Sequence, residues 1–520
     1  MANLDTADEA VALPGEEEHR QRLLAFEQAN ARRLAASRRR NIYLHRYINR
    51  LIGQIVLPRA KILDIGCGDG LLLGTLAPEL GVGVDLNPDL IEHASKSYPQ
   101  LRFHACPIEE YDFKAHETFD YIILSGVIQQ VYDIHNLLVK IRPLCHARTR
   151  LIICSYSRVW QPFIRLAELL GIKCPVPEES WIPPNELENL LYQHDFQIIR
   201  HQPSILLPFG VPVVSNAINR WAAPLPLLRH GCLVNICIAR PLNSPVCAGE
   251  TNTPAAGGAN DSELSPRASS TMASDNSAKL QTSVSIVVPL RNEAGNVGPL
   301  LKRIPKFADR QEVIFVEGHS TDNTWDVVNE AVANYQGDMI LSVHRQTGKG
   351  KRDAVRLGFA ESTGDVLAIL DGDISVPPEE LPRFFELIQS GKAEFANGSR
   401  LVYPMESEAM QFLNMIANKG FGYAFSFLLG QSIRDTLCGT KVLRRMEYDR
   451  IAANRAYFGD FDPFGDFDLL FGAARLNLKI TDVPVHYKQR VYGSTNISRF
   501  RHGLMLIRMC LFAARKICFV

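Results

Sequence analysis

The sequence predicts an α/β protein built from two doubly wound sheets joined by a flexible linker, and three observations predict it. Short β-like runs alternate with helical patterns over the first half (Lys61 to Asp64, Val82 to Asp85, Tyr121 to Leu124, Leu151 to Cys154), the signature of a mostly parallel sheet covered on both faces. The alternation restarts later, at Ser285 to Val288, Glu312 to Val316, Met339 to Val343 and Val366 to Leu370. Between the two series, residues 243–282 are dominated by Ser, Thr, Ala, Asn, Gly and Pro, a composition that cannot bury enough surface to order itself.

Composition bounds what the chain does. At 520 residues, 46% hydrophobic and 22% charged, it is long enough for two or three domains. Lys plus Arg (56) equals Asp plus Glu (56), so the basic surplus expected of a nucleic-acid binder is missing and no such partner is expected. The eleven cysteines include no C-x-x-C pair, which argues against a zinc site or a thiol redox motif. The acidic N-terminus lacks the features of a signal peptide, and no clean apolar run reaches the roughly 18 to 20 residues that span a bilayer, so a cytoplasmic location is expected.

The expected organisation is an N-terminal extension (1–40), a first domain (41–242), the linker (243–282), a second domain (283–500) and a C-terminal helix (501–520). The extension is acidic and polar through Glu18. From Arg20 to Arg40 it reads as a helix whose Arg38, Arg39 and Arg40 form a solvated face.

In the first domain, "KILDIGCGDG" (Lys61 to Gly70) places an apolar strand before a glycine turn and a helix start. Glycine lets a ligand approach the backbone there, and the helix start offers N–H groups. About twenty residues on, "GVGVD" ends in Asp85, where a carboxylate can accept both hydroxyls of a ribose. These residues resemble class I S-adenosylmethionine (SAM) methyltransferases, over roughly Asn41 to Pro241 and including "FDYIILSGVIQQVYD". The resemblance implies a Rossmann-like methyltransferase fold with Asp64, Gly66, Cys67, Gly68 and Gly70 cradling the methionine end of the cofactor and Asp85 holding its ribose. Cys106 stands where an acidic residue often meets the adenine, with Glu109 as a substitute. The apolar, Pro-broken region from Tyr156 to Pro241 should form a lid and the last strands, and it either lines a pocket for a greasy acceptor or packs on its own domain.

In the second domain, "DGD" (Asp371 to Asp373) follows the apolar run "VLAIL". Two carboxylates at the end of a buried strand are poorly placed for packing and well placed to hold a hard divalent cation. With "SIVVPLRNEAGNV" and "EVIFVEGHSTDNTWDVV" before it, the domain resembles family 2 glycosyltransferases of the GT-A fold, and within them the polyprenyl-phosphate (dolichol-phosphate mannosyltransferase-like) branch, from Val284 to Phe500. The resemblance implies that Pro289, Asn292 and Glu293 contact the nucleotide, Glu317 and Asp322 border its base, and Asp371 and Asp373 handle the donor phosphates and a Mg²⁺ or Mn²⁺ ion. It further implies that Arg400 and Arg490 clamp phosphate and that Asp466 and Asp468 occupy the catalytic acidic position of an inverting transfer. The family's "DDGS" reads "EGHS" here (Glu317 to Ser320), with Gly318 for an aspartate and His319 in a base-lining or structural role.

The implied partners are a nucleotide-sugar donor and a lipid-phosphate or glycan acceptor, with peripheral contact at the inner face of the cell membrane. That contact is expected from the terminal segment Gly503 to Val520, where Arg501, Arg508 and Arg515 recur every seven residues, and from Met410 to Gly430; core or dimer packing is the competing reading of both. Two functional readings stay open: a bifunctional enzyme of lipid-linked or cell-surface glycan assembly, or a glycosyltransferase for a soluble saccharide beside a non-catalytic SAM-binding scaffold.

Overall fold

The computed structural model describes residues 16–111, 117–175, 180–242, 282–403, 412–455, 465–490, 492 and 507–518. Apart from Thr282, the expected linker lies outside them, as do Met410 and Arg501.

Seven strands form the first sheet: β1 (Lys61–Ile65), β2 (Leu80–Asp85), β3 (Arg102–Ala105), β4 (Phe119–Ser125), β5 (Cys145–Tyr156), β6 (Phe196–Ser204) and β7 (Val234–Pro241), in the spatial order β3-β2-β1-β4-β5-β7-β6. The first five are parallel, and β7 runs antiparallel between β5 and β6. Helices cover both faces, so central strands such as β4 bury residues of both parities and read as continuous apolar runs. Caps fix where covering helices begin: the Asn87 side chain accepts from the N–H groups of Asp89 and Leu90 before Pro88–Ser97, and Asp133 does the same before Ile134–Ile141.

The second sheet contains β8 (Ser283–Leu290), β9 (Arg310–Glu317), β10 (Ile340–Arg345), β11 (Val366–Ile369), β12 (Phe395–Ser399), β13 (Lys441–Arg444) and β14 (Ile480–Pro484), ordered β10-β9-β8-β11-β13-β12-β14 with β13 antiparallel to its neighbours. Strand order reverses between β1 and β4 in one sheet and between β8 and β11 in the other. Such reversals leave a crevice beyond the carboxyl ends of the strands, where ligands of open α/β sheets bind. The helix Phe412–Leu429, within the segment weighed for membrane contact, buries Phe425, Leu428 and Leu429 in the core of the second domain, and the terminal segment buries Met509 and Ala513 there.

A tether alone does not hold the domains together. Arg150 on β5, 2% exposed, donates from Nη2 to both oxygens of Glu394 (2.8 and 3.0 Å) and from Nε to the Asn477 carbonyl (2.9 Å). Arg240 on β7 donates to the carbonyls of Gly391 (2.8 Å) and Lys392 (3.0 Å), with Nη1 3.7 Å from Glu394. Glu394 also accepts the Lys479 N–H (2.7 Å). Burial alone would raise the pKa of this carboxyl, but the two guanidiniums outweigh it and hold it below the usual range. Across the same boundary Arg475 donates to the Gln54 carbonyl (2.8 Å), and Leu57 packs against core clusters of both domains.

Glu394→Ala leaves two buried guanidiniums uncompensated, which typically costs about 3–5 kcal/mol. Thermal denaturation of the full chain should show a clear fall in Tm, larger than that for Glu379→Ala, whose pair with Arg303 is solvent-exposed. Equal melting temperatures for the two variants would contradict a stabilising interface.

Candidate active sites

The first crevice is built by the turn after β1. Gly66 and Gly70 adopt φ of 73° and 74°, and a Cβ at these positions would lie 1.9 Å from Val127 Cγ2 and 2.7 Å from the Phe103 ring, so only glycine fits. Asp64, at the end of β1, is 2% exposed and its Oδ1 has no hydrogen-bond partner among the described residues. Burial, reinforced by neighbouring Asp85, pushes its pKa up to about 8. Burial also drives up the pKa of the Cys67 thiol, with Asp64 and Asp85 adding to it. Asp85 accepts the backbone N–H groups of Gly68 (2.8 Å) and Asn87 (2.9 Å), which fixes the carboxylate at the crevice wall; burial still raises its pKa.

Part of this site escapes a reading of motifs. The N-terminal helix Glu16–Arg40 crosses the mouth of the crevice, presenting His19, Leu23 and Glu27 at i, i+4 and i+8. His19 Nε2 bonds the Gln130 carbonyl (2.9 Å), Glu27 accepts from Asn87 Nδ2 (2.9 Å), and Arg20 pairs with Glu110 (3.0 Å). With Ile65, Cys106, Val127 and Tyr132 these residues enclose a solvent-open cleft of about 810 Å³. Arg38, Arg39 and Arg40 are exposed, as a solvated face requires, but the first half of the helix is a wall of the site. The signal in the sequence is two polar residues in register with Leu23. Cys106 lines the cleft, and the Glu109 side chain lies outside the described residues.

In the second crevice Asn292, at φ 57°, ties two loops together: its N–H donates to Ser320 Oγ (3.0 Å), and its Oδ1 accepts the Thr321 N–H (2.8 Å) and hydroxyl (3.2 Å). Glu317, 1% exposed, accepts from the Ser320 N–H (2.5 Å) and Arg345 Nε (3.1 Å), and the Arg345 guanidinium lies 4.3 Å over the Trp325 ring. A Cβ on Gly318 would lie 2.9 Å from Gln346 Nε2, so a larger residue there would displace the Gln346 amide, and His319 bonds the Gly348 carbonyl (2.9 Å). Asp322 Oδ1 accepts from Thr324, while its buried Oδ2 has no partner among the described residues.

Asp371 and Asp373 follow β11. Lys351 Nζ lies 2.5 Å from Asp371; burial would raise the pKa of this carboxyl, yet Lys351, aided by Lys441 and Arg400, holds it below the usual range. A Cβ on Gly439 would lie 2.1 Å from Asp371 Oδ2, so any side chain there would displace the Asp371 and Lys351 pair. Asp373 Oδ1 accepts the Ser375 N–H (3.0 Å), and its Oδ2 pairs with Arg490, which also lies 3.8 Å from Glu293. Burial, with Asp373 and Asp322 reinforcing it, pushes Glu293 up to about 7 against the opposing pull of Asn296 and Arg490. The Pro289 carbonyl packs beneath Gly372. The structure therefore gathers Pro289, Asn292, Glu293, Asp322, Asp371, Asp373 and Arg490 around one crevice.

Other expected residues are committed elsewhere. Arg400 directs Nε (2.7 Å) and Nη2 (2.9 Å) onto Asp435, a fully buried carboxylate held near pKa 2 by Arg400 and Asn418 against the effect of burial. Asp468 Oδ2 accepts from both Arg356 and Arg455 (3.0 Å each). Asp466 opens the helix Asp466–Arg475 and its side chain lies outside the described residues. A Cβ on Gly465 would lie 2.9 Å from the Arg352 backbone, so this helix starts beside the Lys351 that meets Asp371.

Residues 58–189 match the family described as Methyltransferase domain, and residues 285–451 match Glycosyl transferase family 2. The chain carries a methyltransferase domain followed by a family 2 glycosyltransferase domain. Its glycosyltransferase domain is similar to the dolichol-phosphate mannosyltransferase of Pyrococcus furiosus, 30% identical over 175 residues, which cover 33% of this chain and 49% of that protein. It is also similar to the undecaprenyl-phosphate 4-deoxy-4-formamido-L-arabinose transferase of Pseudomonas fluorescens, 29% identical over 224 residues, covering 42% of this chain and 61% of that protein. The chain thus spans about half to three fifths of the length of these relatives. The methyltransferase domain is similar to a TehB-like SAM-dependent methyltransferase from Corynebacterium glutamicum (TM-score 0.26, 20% identity, 37% of this chain and 86% of that one). Among the described residues no helix of either domain is long and apolar enough to cross a membrane.

In the methyltransferase domain Asp64 sets a pH dependence. Its pKa near 8 in the folded state exceeds the roughly 3.9 of an unfolded aspartate, so the folded chain holds the extra proton between those values. The resulting stability is complete below about pH 4 and is lost as pH rises through about 8. Relative to Asp64→Asn, the ligand-free wild type should lose Tm between pH 5 and 8, by about 2–4 °C for each kcal/mol. Parallel Tm profiles would show that Asp64 titrates normally.

Proposed function

We propose that the glycosyltransferase domain moves a sugar, with inversion, from a nucleotide-sugar to a polyprenyl phosphate in lipid-linked glycan assembly, using Mg²⁺ or Mn²⁺, and that the methyltransferase domain transfers the methyl of SAM. The observation that carries the reading is the Asp371 and Asp373 pair beyond β11, flanked by Lys351, Arg490 and Glu293. The acceptor class is supported by the two relatives, both named for polyprenyl-phosphate substrates.

The donor set suits a hard cation. Among the described residues no three His, Cys, Asp or Glu side chains converge, so Asp371 and Asp373 would supply two oxygen ligands and the donor diphosphate the others. A cation held there would supply positive charge against the charge that develops on the departing diphosphate. Arg490 pairs with Asp373 now, and its planar fork suits exchange onto phosphate oxygens. Asn292 and Glu293 shape the nucleotide wall, with Glu317 and Asp322 behind it. Asp466 is the base that takes the acceptor proton, while Asp468, pinned by two arginines, positions the helix start; Arg400 holds the adjacent loop through Asp435.

In the methyltransferase domain the unpartnered Asp64 oxygen fits the ammonium of a SAM methionine, Asp85 fits the ribose, and the turn from Gly66 through Cys67 and Gly68 to Gly70 admits the backbone contact. SAM supplies an electrophilic methyl. The part of the chain is to orient it, with His19, Leu23 and Glu27 forming one wall of the cleft.

Asp373→Asn keeps size and removes charge. The Tm should stay within a few degrees of wild type, metal-dependent release of nucleoside diphosphate should fall by about a hundredfold or more, and methyl transfer should persist because its groups lie on the other sheet. Activity within a few-fold of wild type at saturating metal would remove Asp373 from the cation site.

A further inference from the structure

More than half of the large apolar side chains exposed among the described residues fall in two short segments of the methyltransferase domain, 159–172 and 209–228. The helix Gln161–Leu169 buries none of its residues, and Phe163, Leu166 and Leu170, at i, i+3 and i+7, turn an apolar stripe toward water. A surface helix ordinarily turns that stripe inward. In the second segment Val213 is 81% exposed and Leu227 89% exposed.

The two segments flank the start of the helix Ile42–Ile55. Arg40 donates to the carbonyls of Gly171 (3.0 Å) and Ile172 (3.1 Å), while Tyr43 bonds Asn216 (3.1 Å) and Asn219 (3.0 Å). Exposed Ile42 lies between them.

Among the described residues, arginine outnumbers acid around this face. No Asp or Glu occurs between Glu27 and Asp64, a stretch that includes Arg39, Arg40, Arg46 and Arg50, and none occurs between Phe196 and Pro241. Arg39, Arg40, Arg46, Arg158 and Arg165 are exposed, and the one acid of the Gln161–Leu169 helix, Glu168, is paired with Lys173 (3.2 Å). The Arg220 guanidinium lies 5.4 Å from the centre of the Trp221 ring. At the edge of the face Arg200, Arg220 and Arg229 line a cleft that Phe427 and Gly430 of the glycosyltransferase domain complete, and the buried His201 Nε2 in it has no partner among the described residues. In a chain whose charges balance overall, apolar tips flanked by arginine, with few acids among the described residues, complement a surface that is anionic outside and apolar beneath.

We propose that this face of the methyltransferase domain docks on an anionic phospholipid bilayer and carries the packed glycosyltransferase domain to it. The inference deepens the lipid-acceptor reading and rests on it for the purpose of docking; the docking itself rests on the face. Neither the terminal segment nor the Phe412–Leu429 helix, both packed into the glycosyltransferase core, is required for it.

The test uses the full chain and vesicles of phosphatidylcholine with and without phosphatidylglycerol. Wild type should co-sediment with the anionic vesicles, weaken as salt rises and bind phosphatidylcholine alone poorly. Leu169→Glu combined with Leu227→Glu, two nearly fully exposed positions, should cut binding at least tenfold with Tm unchanged. Sugar transfer to a short, water-soluble polyprenyl phosphate should be the same in both proteins. If wild type rejects that acceptor while the double variant still loses vesicle binding, the acceptor reading fails and the docking face stands. Undiminished vesicle binding by the double variant overturns the proposal, as does absence of binding by wild type. A lipid-independent dimer that the double variant dissolves also overturns it, assigning the face to a second copy of the chain.

Discussion

Glu394 fixes the arrangement of the whole molecule. It sits on the chain entering β12, and its carboxylate is shared by two guanidiniums that come from β5 and β7 of the other sheet. A buried ion pair of this kind adds little net stability over an apolar contact of the same shape, but it penalises any arrangement that leaves one charge alone. Its contribution is therefore orientation. With Leu57 in both cores and Arg475 on the Gln54 carbonyl, it sets one crevice and the arginine-flanked face in a fixed relation to the other crevice.

The two crevices handle charge in opposite ways. In the methyltransferase domain Asp64 and Asp85 crowd together, with no cation among the described residues on the unpartnered oxygen, and the protein meets the cost by keeping a proton. In the glycosyltransferase domain Asp371 and Asp373 are each met by an internal cation, Lys351 and Arg490. The first site suits a ligand that brings positive charge; the second suits one that brings both metal and phosphate and exchanges partners with Lys351 and Arg490.

The sequence made much of this legible because glycine turns and strand-end carboxylates are local. Lys61 to Asp64, Asp85 and the Asp371 and Asp373 pair stand where their local pattern puts them. The two antiparallel strands, β7 and β13, were not legible, since alternation and apolar runs do not encode strand direction. The burial of Arg150 depends on Glu394, 244 residues away, and nothing near "RTRLIICS" marks it. Arg400 illustrates the same limit: a basic residue beside a phosphate-type motif reads as a clamp until its partner Asp435 is seen. The N-terminal helix was legible as a helix, but what it covers is a tertiary fact.

The separation between Arg150 and Glu394 also bears on how the protein is made. At about 5 to 20 residues per second, a ribosome needs roughly 12 to 50 s to extend the chain from one to the other. Through the last 154 of those residues, from Arg240 to Glu394 and about 8 to 31 s, the methyltransferase sheet stands complete with two guanidiniums and Leu57 exposed where the second domain will pack. A Glu394 from a neighbouring chain on the same message satisfies those guanidiniums as well as its own does. Synthesis thus poses a choice between pairing within the chain and exchange between chains, decided by how soon the second sheet emerges and by how crowded the message is.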